Sequence, residues 1–149
     1  MKTTYRDFHS VDFDACLALF DSNVPTYFSE VERQDFIDFL LDLPGPYLVV
    51  KDSKGEIVAC GGFAFVQESH SADLCWGMVE QTHHKRGLGL ALLNARLERI
   101  RQHPAITHVN LNTCQKTEAF FKRVGFVTQQ VTKDGFAPGL HRHDMTLSL

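Results

Sequence analysis

The sequence predicts a mixed α/β (α+β) domain, and three observations lead to this prediction. Several segments have the spacing of apolar residues that makes one face of a helix. Others are rich in Thr, Tyr, Phe and Val and are bounded by turn residues, as strands are. Gly and Pro follow the ends of helical segments, where they stop helices. The predicted order is β-α-α-β-β-β-α-β-α-β-β without an internal repeat or a linker, so residues 1–149 are expected to form a single domain.

The first half of the chain contains a strand, two helices and a hairpin in this prediction. The first helix has an apolar face at i, i+3, i+4 and i+7 that runs from Phe13 to Phe20, and the chain breaks it around Pro25. The second helix begins at Ser29, because Ser29 and Glu32 have the spacing of a capping box. A polar segment predicts a tight turn between the two strands that follow. The predicted ranges are 3–8 (strand), 13–20 (helix), 29–41 (helix), 47–51 (strand) and 57–66 (strand).

The second half adds two helices and four strands. Apolar residues recur with helical spacing from residue 87 to about residue 102, and Pro104 lies just past the end. A shorter helix ends at Gly125, which is expected in the left-handed conformation that stops helices. The last two strands are expected on either side of a loop that contains Gly and Pro. The predicted ranges are 74–79 (strand), 87–102 (helix), 109–112 (strand), 117–124 (helix), 126–132 (strand) and 142–147 (strand).

Composition and charge exclude several classes of protein. At 149 residues and 44% hydrophobic, the chain has the size of one globular domain, and a net charge of -3 provides no basic surface for nucleic acid. The four cysteines have no CxxC or zinc-finger spacing, and residues 1–14 lack the apolar core of a signal peptide. No stretch approaches the roughly 18 apolar residues of a membrane helix. We therefore predict a soluble, cytoplasmic protein with reduced thiols that binds neither nucleic acid nor membrane.

The segment HHKRGLGLALL, residues 83–93, combines positive charge with glycines where a helix is predicted to begin. The first N–H groups of a helix lack partners within it and lie at the positive end of its dipole. Gly87 and Gly89 allow an anion to approach these groups closely, and Lys85 and Arg86 add charge. The segment therefore predicts a phosphate site. It is neither a GxxxxGK[ST] loop nor a complete GxGxxG fingerprint, because leucine replaces the third glycine of the latter.

Two motifs resemble those of the GNAT superfamily of acetyl-CoA-dependent N-acetyltransferases. Residues 79–93, VEQTHHKRGLGLALL, resemble motif A, whose core reads Q/R-x-x-G-x-G/A, with His84, Gly87 and Gly89 at its three positions. Residues 120–126, FFKRVGF, are similar to the closing helix of the family, commonly L-Y-x-x-x-G-F. The order of predicted elements also matches. The resemblance covers nearly the whole chain and implies a GNAT fold, with a mixed, mostly antiparallel central sheet flanked by helices.

The resemblance also implies that acetyl-CoA is the co-substrate and that no metal is required. Three residues depart from the family pattern: His84 replaces a Gln or Arg, Phe121 replaces the tyrosine that protonates the leaving thiolate in many members, and Cys114 replaces an Asn. Phosphate binding is expected to survive these changes, because it uses mainly backbone N–H groups. The residues expected to bind acetyl-CoA are Met78, Val79, His84, Lys85, Arg86, Gly87, Leu88, Gly89, Leu90, Cys114, Thr117 and Phe121.

The same resemblance places the thioester oxygen of acetyl-CoA at the backbone N–H of Val79. Negative charge builds on this oxygen when an amine attacks, and a fixed donor is worth about 3 kcal/mol in other acyl-transfer sites. The amine must also lose a proton, for which Asp73 and Glu80 are both candidate bases. Asp73 and Val79 share a face if the strand has no bulge, and Glu80 then faces the other way. Both candidates stay open.

The sequence does not identify the acceptor amine. By analogy with the family, the segment between the first two helices and the last hairpin border the acceptor site. The residues expected to bind the acceptor are Tyr27, Phe28, Glu30, Phe136 and His141. An aromatic pocket with acidic residues suits a small or peptidic primary amine. The two histidines of LHRHD, residues 140–144, would share a strand face, but no third ligand is evident, so no metal site is expected.

Two functions follow from these observations. The first is transfer of an acetyl group from acetyl-CoA to a primary amine, by direct attack in a ternary complex. The second is a module that binds acyl-CoA without turnover, as a sensor or an interaction module, and Phe121 keeps it open because phenylalanine cannot donate a proton. Edge strands near the C-terminus are compatible with a homodimer.

Overall fold

The helices and strands of the computed structural model, which describes residues 3–149, follow each other in the predicted order. None of the helices within this range combines the length and the apolar composition that crossing a membrane requires. The helices are α1 (Phe13–Ser22), α2 (Arg33–Leu41), α3 (Leu88–Arg101) and α4 (Glu118–Val124). The strands are β1 (Thr4–Asp7), β2 (Tyr47–Lys51), β3 (Ile57–Val66), β4 (Ser71–Val79), β5 (His108–Thr113), β6 (Val127–Ala137) and β7 (Leu140–Ser148).

The seven strands form one sheet in the order β1-β2-β3-β4-β5-β7-β6. β4 and β5 are parallel, and every other neighbouring pair is antiparallel. The parallel pair requires a crossover connection, which α3 supplies. The observed architecture confirms the predicted fold class, a mixed and mostly antiparallel sheet flanked by helices.

Three strand boundaries differ from the prediction by more than one residue. β4 begins at Ser71 rather than at residue 74, and β6 and β7 extend into the segment expected to be a loop. Strand pairing explains these differences, because Ser71 pairs with His108 of β5, and Ala137 of β6 pairs with Leu140 of β7 across a tight turn at Gly139, where φ is +77°. The predicted capping box is present, with the Ser29 N–H donating to Glu32 at 2.8 Å, and a 3₁₀ turn there leads into α2.

Helices cover the two halves of the sheet differently. On the β1–β4 half, α1 and α2 pack on one face and α3 packs on the other, where Leu88 and Leu92 are buried. On the β5–β7 half, α3 and α4 pack on one face, where Val109 and Met145 are buried. No helix among residues 3–149 provides a core on the opposite face of that half, which carries half-buried or exposed polar residues: Asn110, Asn112, Asp144 and Thr146.

A cluster of aromatic rings anchors the α1–α2 layer to the centre of the sheet. The ring centroid of Phe20 lies 5.0 Å from that of Phe28 and 5.6 Å from that of Phe36, and Phe36 lies 5.1 Å from Trp76 of β4. Burying each such side chain stabilises the fold by roughly 1.5–3 kcal/mol. The segment between α1 and α2, which contains Phe28, is therefore held close to β4.

Candidate active site

A large cavity opens where β4 and β5 separate. The two strands pair only between Ser71–Asp73 and His108–Asn110. Past these residues β4 continues beside β3 alone, and β5 continues beside β7. The cavity has a volume of about 1320 Å³ and is lined by both strands, by the start of α3 and by the segment between α1 and α2. Because separated strands leave backbone groups unpaired, a ligand can bind the strand edge here.

A β-bulge in β4 decides which face of the sheet each candidate residue takes. The pairing of β4 with β3 shifts by one residue between Cys60 and Gly62, so two residues of β4 lie opposite one residue of β3. Before the bulge, the neighbours of Asp73 pack on the α3 side, so Asp73 faces the other side. After the bulge, Val79 itself packs on the α3 side. The shared face expected for a strand without a bulge therefore does not occur.

The backbone N–H of Val79 points into the opening. The Glu80 N–H donates to the Val58 carbonyl at 2.8 Å, so these residues form a hydrogen-bonded pair of the antiparallel ladder. Because such pairs alternate with pairs that are not hydrogen-bonded, Val79 and Ala59 turn their backbone groups away from each other. On the outer side of Val79, β5 has already separated from β4. The same alternation directs the backbone of Met78 towards β3, so Met78 contributes its side chain to the cavity wall.

Two side chains hold the carbonyl oxygen of Val79. Asn23 Nδ2 and His84 Nε2 each lie 2.9 Å from it, and Asn23, which is 2% exposed, also donates to the Leu19 carbonyl. Since a carbonyl can only accept, His84 carries a proton on Nε2. The ring of His84 lies 5.1 Å from that of Tyr27. His84, at the Gln/Arg position of motif A, thus fixes the end of β4.

The N-terminus of α3 presents bare backbone to the cavity. Gly87 precedes α3 with φ +80°, a left-handed conformation that favours glycine, and no side chain among residues 3–149 caps the helix. A Cβ at Gly89 would lie 3.6 Å from Phe120, an ordinary contact. Lys85 lines the cavity, whereas Arg86 does not. The free N–H groups, the helix dipole and Lys85 together fit a pyrophosphate.

The predicted CoA-binding residues fall into two groups. Leu88 is buried beneath α3 and, like Arg86, does not line the cavity. A backbone N–H of Leu88 can still face an anion, because the first N–H groups of a helix have no partner within it. The predicted residues that line the cavity are Met78, Val79, His84, Lys85, Gly87, Gly89, Leu90, Cys114, Thr117 and Phe121.

The two candidate bases have different surroundings. Asp73 lines the cavity beside Asn110, where β4 and β5 part. Glu80 lies outside the lining of this cavity, and its carboxylate accepts hydrogen bonds from the Thr82 N–H at 3.0 Å, from the Thr82 hydroxyl and from His83 Nδ1 at 2.9 Å. Burial raises the pKa of Glu80, but these hydrogen bonds outweigh it and hold the pKa below its usual range.

The α4 side of the cavity lacks a phenol. Phe120 and Phe121 both line it, with ring centroids 5.0 Å apart. Cys114 is 4% exposed, and its sulfur lies 3.9 Å from the hydroxyl of Thr117, which also contacts the hydroxyl of Thr113. Thr117 therefore brings a hydroxyl to a wall on which Phe121 has none.

The expected acceptor residues are only partly brought together. Tyr27, Phe28 and Phe136 line the cavity, whereas Glu30 and His141 do not. His141 Nδ1 instead accepts a hydrogen bond from a backbone N–H of β6 at 3.0 Å. The aromatic residues of the expected pocket are thus present. The predicted acidic residue, Glu30, does not line the cavity.

The two histidines of β7, His141 and His143, form hydrogen bonds with neighbouring elements of the protein. His143 is 8% exposed, and its Nδ1 lies 2.6 Å from a carboxylate oxygen of Glu118. The same oxygen accepts a hydrogen bond from Thr128 at 2.6 Å, and this bond, followed by that of His143, holds the pKa of Glu118 below its usual range. These contacts tie α4 to the β6–β7 hairpin. Within residues 3–149, no three metal-ligating side chains lie together.

Three features of the site were not predicted from the sequence. Asn23 binds the end of β4, Arg96 of α3 lines the cavity, and polar residues of β5 and β7 line its open face. The sequence does contain a pattern that indicates the burial of Arg96, because this residue follows the buried Leu88 and Leu92 at intervals of four residues. The other two had none, since they depend on contacts between segments that are distant in the chain.

A parted sheet with a free strand amide beside an uncapped helix start suits a CoA thioester, the ligand that the resemblance in the sequence implies. Comparison with known families agrees with this class. Residues 13–126 match the model of the acetyltransferase (GNAT) family, which is most of the chain, and the protein therefore belongs to this family. Members of the GNAT family use acetyl-CoA.

Solved structures of similar fold include several acetyltransferases. The ribosomal-protein-S18-alanine N-acetyltransferase of Escherichia coli is 15% identical, with a TM-score of 0.80 over 99% of this chain and 94% of that one. Ard1 of Thermoplasma volcanium is 18% identical, with a TM-score of 0.81 over 100% of this chain and 99% of that one. An aminoglycoside 6'-N-acetyltransferase complexed with coenzyme A is 12% identical, with a TM-score of 0.77 over 97% of this chain and 96% of that one. At these sequence identities the similarity shows the fold alone. A search of curated protein sequences finds no match.

Proposed function

We propose that this protein is an N-acetyltransferase that transfers an acetyl group from acetyl-CoA to a primary amine, by direct attack in a ternary complex. One observation carries the proposal: the free N–H of Val79 and the bare start of α3 at Gly87 line the same cavity as the carboxylate of Asp73. The first two fit a thioester and a pyrophosphate, and the third fits an amine that must lose a proton. Coenzyme A in a structural relative supports the choice of donor.

The reaction needs few groups from the protein. The neutral amine nitrogen attacks the thioester carbon, a C–N bond forms, the C–S bond breaks and the sulfur leaves with the electron pair. Charge that develops on the carbonyl oxygen is stabilised by the N–H of Val79, which Asn23 and His84 hold in place through the carbonyl of the same residue. The amine proton passes to a base, and CoA leaves as the thiol after taking up a proton.

Asp73 is the preferred base in this proposal. It lines the cavity, whereas the carboxylate of Glu80 is occupied by Thr82 and His83 and lies outside the lining. A base must reach the amine directly or through one water molecule, and geometry selects the candidate before its pKa does. Glu80 remains the alternative base.

The leaving thiolate is protonated without a tyrosine. Phe121 occupies the tyrosine position and cannot donate, but an ordinary thiol has a pKa near 8.5, so its thiolate is a stable leaving group. Water that enters the cavity is the proposed proton source, with the hydroxyl of Thr117 on the same wall. Catalysis is therefore expected to be slower without the phenol and not abolished.

The proposed acceptor is a small or peptidic primary amine. The aromatic side chains of Tyr27, Phe28 and Phe136 line the cavity, as do the carboxylates of Glu32, Asp35, Asp73 and Asp144. Carboxylates and aromatic faces both favour a cationic group, which an amine is before it loses its proton. The acceptor would enter over the open face of β5 and β7.

A CoA-binding module without turnover is the second candidate function. The observation that favours it is the purely apolar ring of Phe121 on the cavity wall. Both candidates share the CoA site and differ in whether acyl transfer follows binding.

A thiol-release assay with acetyl-CoA across a panel of primary amines, paired with calorimetric titration of CoA, tests the proposal. Binding with turnover on any amine supports the transferase, and binding without turnover on all of them supports the sensor. Absence of CoA binding contradicts both. Gly89→Glu serves as the control for binding at the α3 site.

Other expectations stay predictions. They are a single N-acetyltransferase domain over residues 1–149, a cytoplasmic location and a homodimer formed through edge strands. Size-exclusion chromatography with light scattering measures the oligomeric state directly.

A further inference from the structure

A buried guanidinium lies in the cavity wall without a counter-ion. Arg96 of α3 is 4% exposed, its Nη1 donates to the Gly62 carbonyl at 3.3 Å, and its Nε has no hydrogen-bond partner. Among residues 3–149 no ion pair includes Arg96. Burial lowers the pKa of Arg96 to about 10, so the side chain is still charged at neutral pH. A buried charge without a partner is costly, which suggests a partner from outside the chain.

The β4 bulge makes room for this guanidinium. A Cβ at Gly77 would lie 2.8 Å from Arg96 Nη2, and a Cβ at Gly61 would lie 3.2 Å from Nη1. Both glycines belong to the segment where β3 and β4 change register. The charge is thereby held against β4 two residues before Val79.

Arg96 also lies deeper along α3 than the helix start at which the pyrophosphate is proposed to bind. It follows the first residue of α3, Leu88, by eight positions, which is about 12 Å along the helix. The proposed order from the helix start inward is therefore the pyrophosphate site at Gly87, the thioester at Val79 and then Arg96. A chain that extends beyond the thioester carbon in this direction approaches the guanidinium.

We propose that Arg96 binds a carboxylate at the far end of the acyl chain, so that the preferred donor is a CoA thioester of a short dicarboxylic acid. This inference rests on the proposed function and changes only the acyl group. Arg presents paired N–H donors that match a carboxylate, and the ligand charge offsets the uncompensated charge of the protein. In the transfer, the amine nitrogen bonds to the thioester carbon, the thiol leaves, and the distal carboxylate keeps its charge beside Arg96.

Calorimetric titration with CoA, butyryl-CoA and succinyl-CoA tests this inference without an acceptor. The two acyl chains have the same number of carbons, and only succinyl carries the distal carboxylate. We expect succinyl-CoA to bind the native protein about tenfold or more tightly than butyryl-CoA. Arg96→Met should remove this preference and leave the affinity for CoA itself unchanged. Arg96→Lys, which keeps the charge without the paired donors, should retain part of it.

Arg99→Met is the matched control, because Arg99 lies on the same helix, is half-buried and has a counter-ion, Asp7, at 3.1 Å. It should keep the full preference for succinyl-CoA. Equal affinity of the native protein for the two thioesters would overturn the inference, as would a preference that persists in Arg96→Met. The first comparison uses native protein, so it stands even if a variant does not fold. If CoA itself does not bind, the proposed function fails, and this inference fails with it.

Discussion

The two sides of the cavity are built from different parts of the chain. On the proposed donor side, most of the groups that fit CoA belong to the backbone, namely the N–H of Val79 and the first N–H groups after Gly87, with the side chain of Lys85 beside them. On the proposed acceptor side, the polar groups are side chains of separate elements: Asp73, Asn110 and Asp144 come from three strands, and Glu32 and Asp35 come from the start of α2. Backbone groups are placed by strand register and helix start, whereas side chains change with each substitution.

This difference explains why a substitution in motif A can leave the geometry of the donor side unchanged. His84 replaces a Gln or Arg, yet it still holds the Val79 carbonyl at 2.9 Å, so the donor side keeps its geometry. On the acceptor side, a substitution changes the binding groups directly, because these groups are side chains. Relatives of the same fold are accordingly named for acceptors as different as a ribosomal protein and an aminoglycoside.

The largest expected effect comes from breaking the donor side with Gly89→Glu. A carboxylate at the start of α3 would repel the pyrophosphate, so CoA affinity should fall about 100-fold or more, or roughly 2.8 kcal/mol. Calorimetric titration of CoA measures the change. Gly89→Ala is the control, because a Cβ there makes only ordinary contacts with Phe120 and should leave binding nearly intact. Unchanged affinity in Gly89→Glu would show that this helix start does not bind CoA.

The next effect tests a side chain on the acceptor side. Asp73→Asn should lower kcat by roughly 100-fold, because a positioned base typically contributes this much or more. The thiol-release assay at saturating acetyl-CoA measures this loss of turnover. Glu80→Gln is the matched comparison. Its carboxylate is occupied by Thr82 and His83 and lies outside the cavity lining, so this variant should keep nearly wild-type turnover unless Glu80 is the base.

An ion pair between Arg6 and Asp12 stabilises the β1–β4 half of the sheet, which helices cover on both faces. Arg6 binds the buried carboxylate of Asp12 at 2.7 and 2.8 Å, and the hydrogen bond from Arg6 lowers the pKa of Asp12 from 3.8 to about 2. A depressed pKa adds stability above pH 4 that is lost as the pH falls from about 4 to about 2. Asp12→Asn should therefore cost about 2 kcal/mol of unfolding free energy at pH 7.

Urea unfolding at pH 7 and at pH 3 measures this contribution. The difference between the native protein and Asp12→Asn should be smaller at the lower pH. Asp21→Asn is the control, because its ion pair with Arg33 is exposed and such pairs contribute less than about 1 kcal/mol. CoA affinity should be unchanged in both variants, since neither residue lines the cavity. Equal losses in the two variants would contradict the role of Asp12.

The smallest effect is expected from Phe121→Tyr. The added hydroxyl would restore a proton donor at the position where family members use one, so turnover should be unchanged or rise by up to about tenfold. The thiol-release assay detects this change. Phe120→Tyr, on the adjacent wall position, is the control and should not raise turnover. A large loss of turnover in Phe121→Tyr would mean that the closing helix does not have the family geometry here.

The sequence by itself predicted the features that depend on neighbouring residues. The order of the elements, the capping box at Ser29 and the αL stop at Gly125 follow from local spacing and backbone preference. The glycine-flanked start of α3 was also predicted, because helix ends are local structures. Of these features, the start of α3 belongs to the proposed donor side of the cavity.

The tertiary structure decided the features that depend on pairing between distant segments. The bulge in β4 arises from its register with β3, and it places Asp73 and Val79 on opposite faces, which no alternation rule for a single strand predicts. The contact of Asn23 with β4 and the burial of Arg96 beneath Gly77 likewise appear only when the elements pack. Local interactions fix each element, but side chains from distant elements meet only through the sheet register and the packing of helices on it.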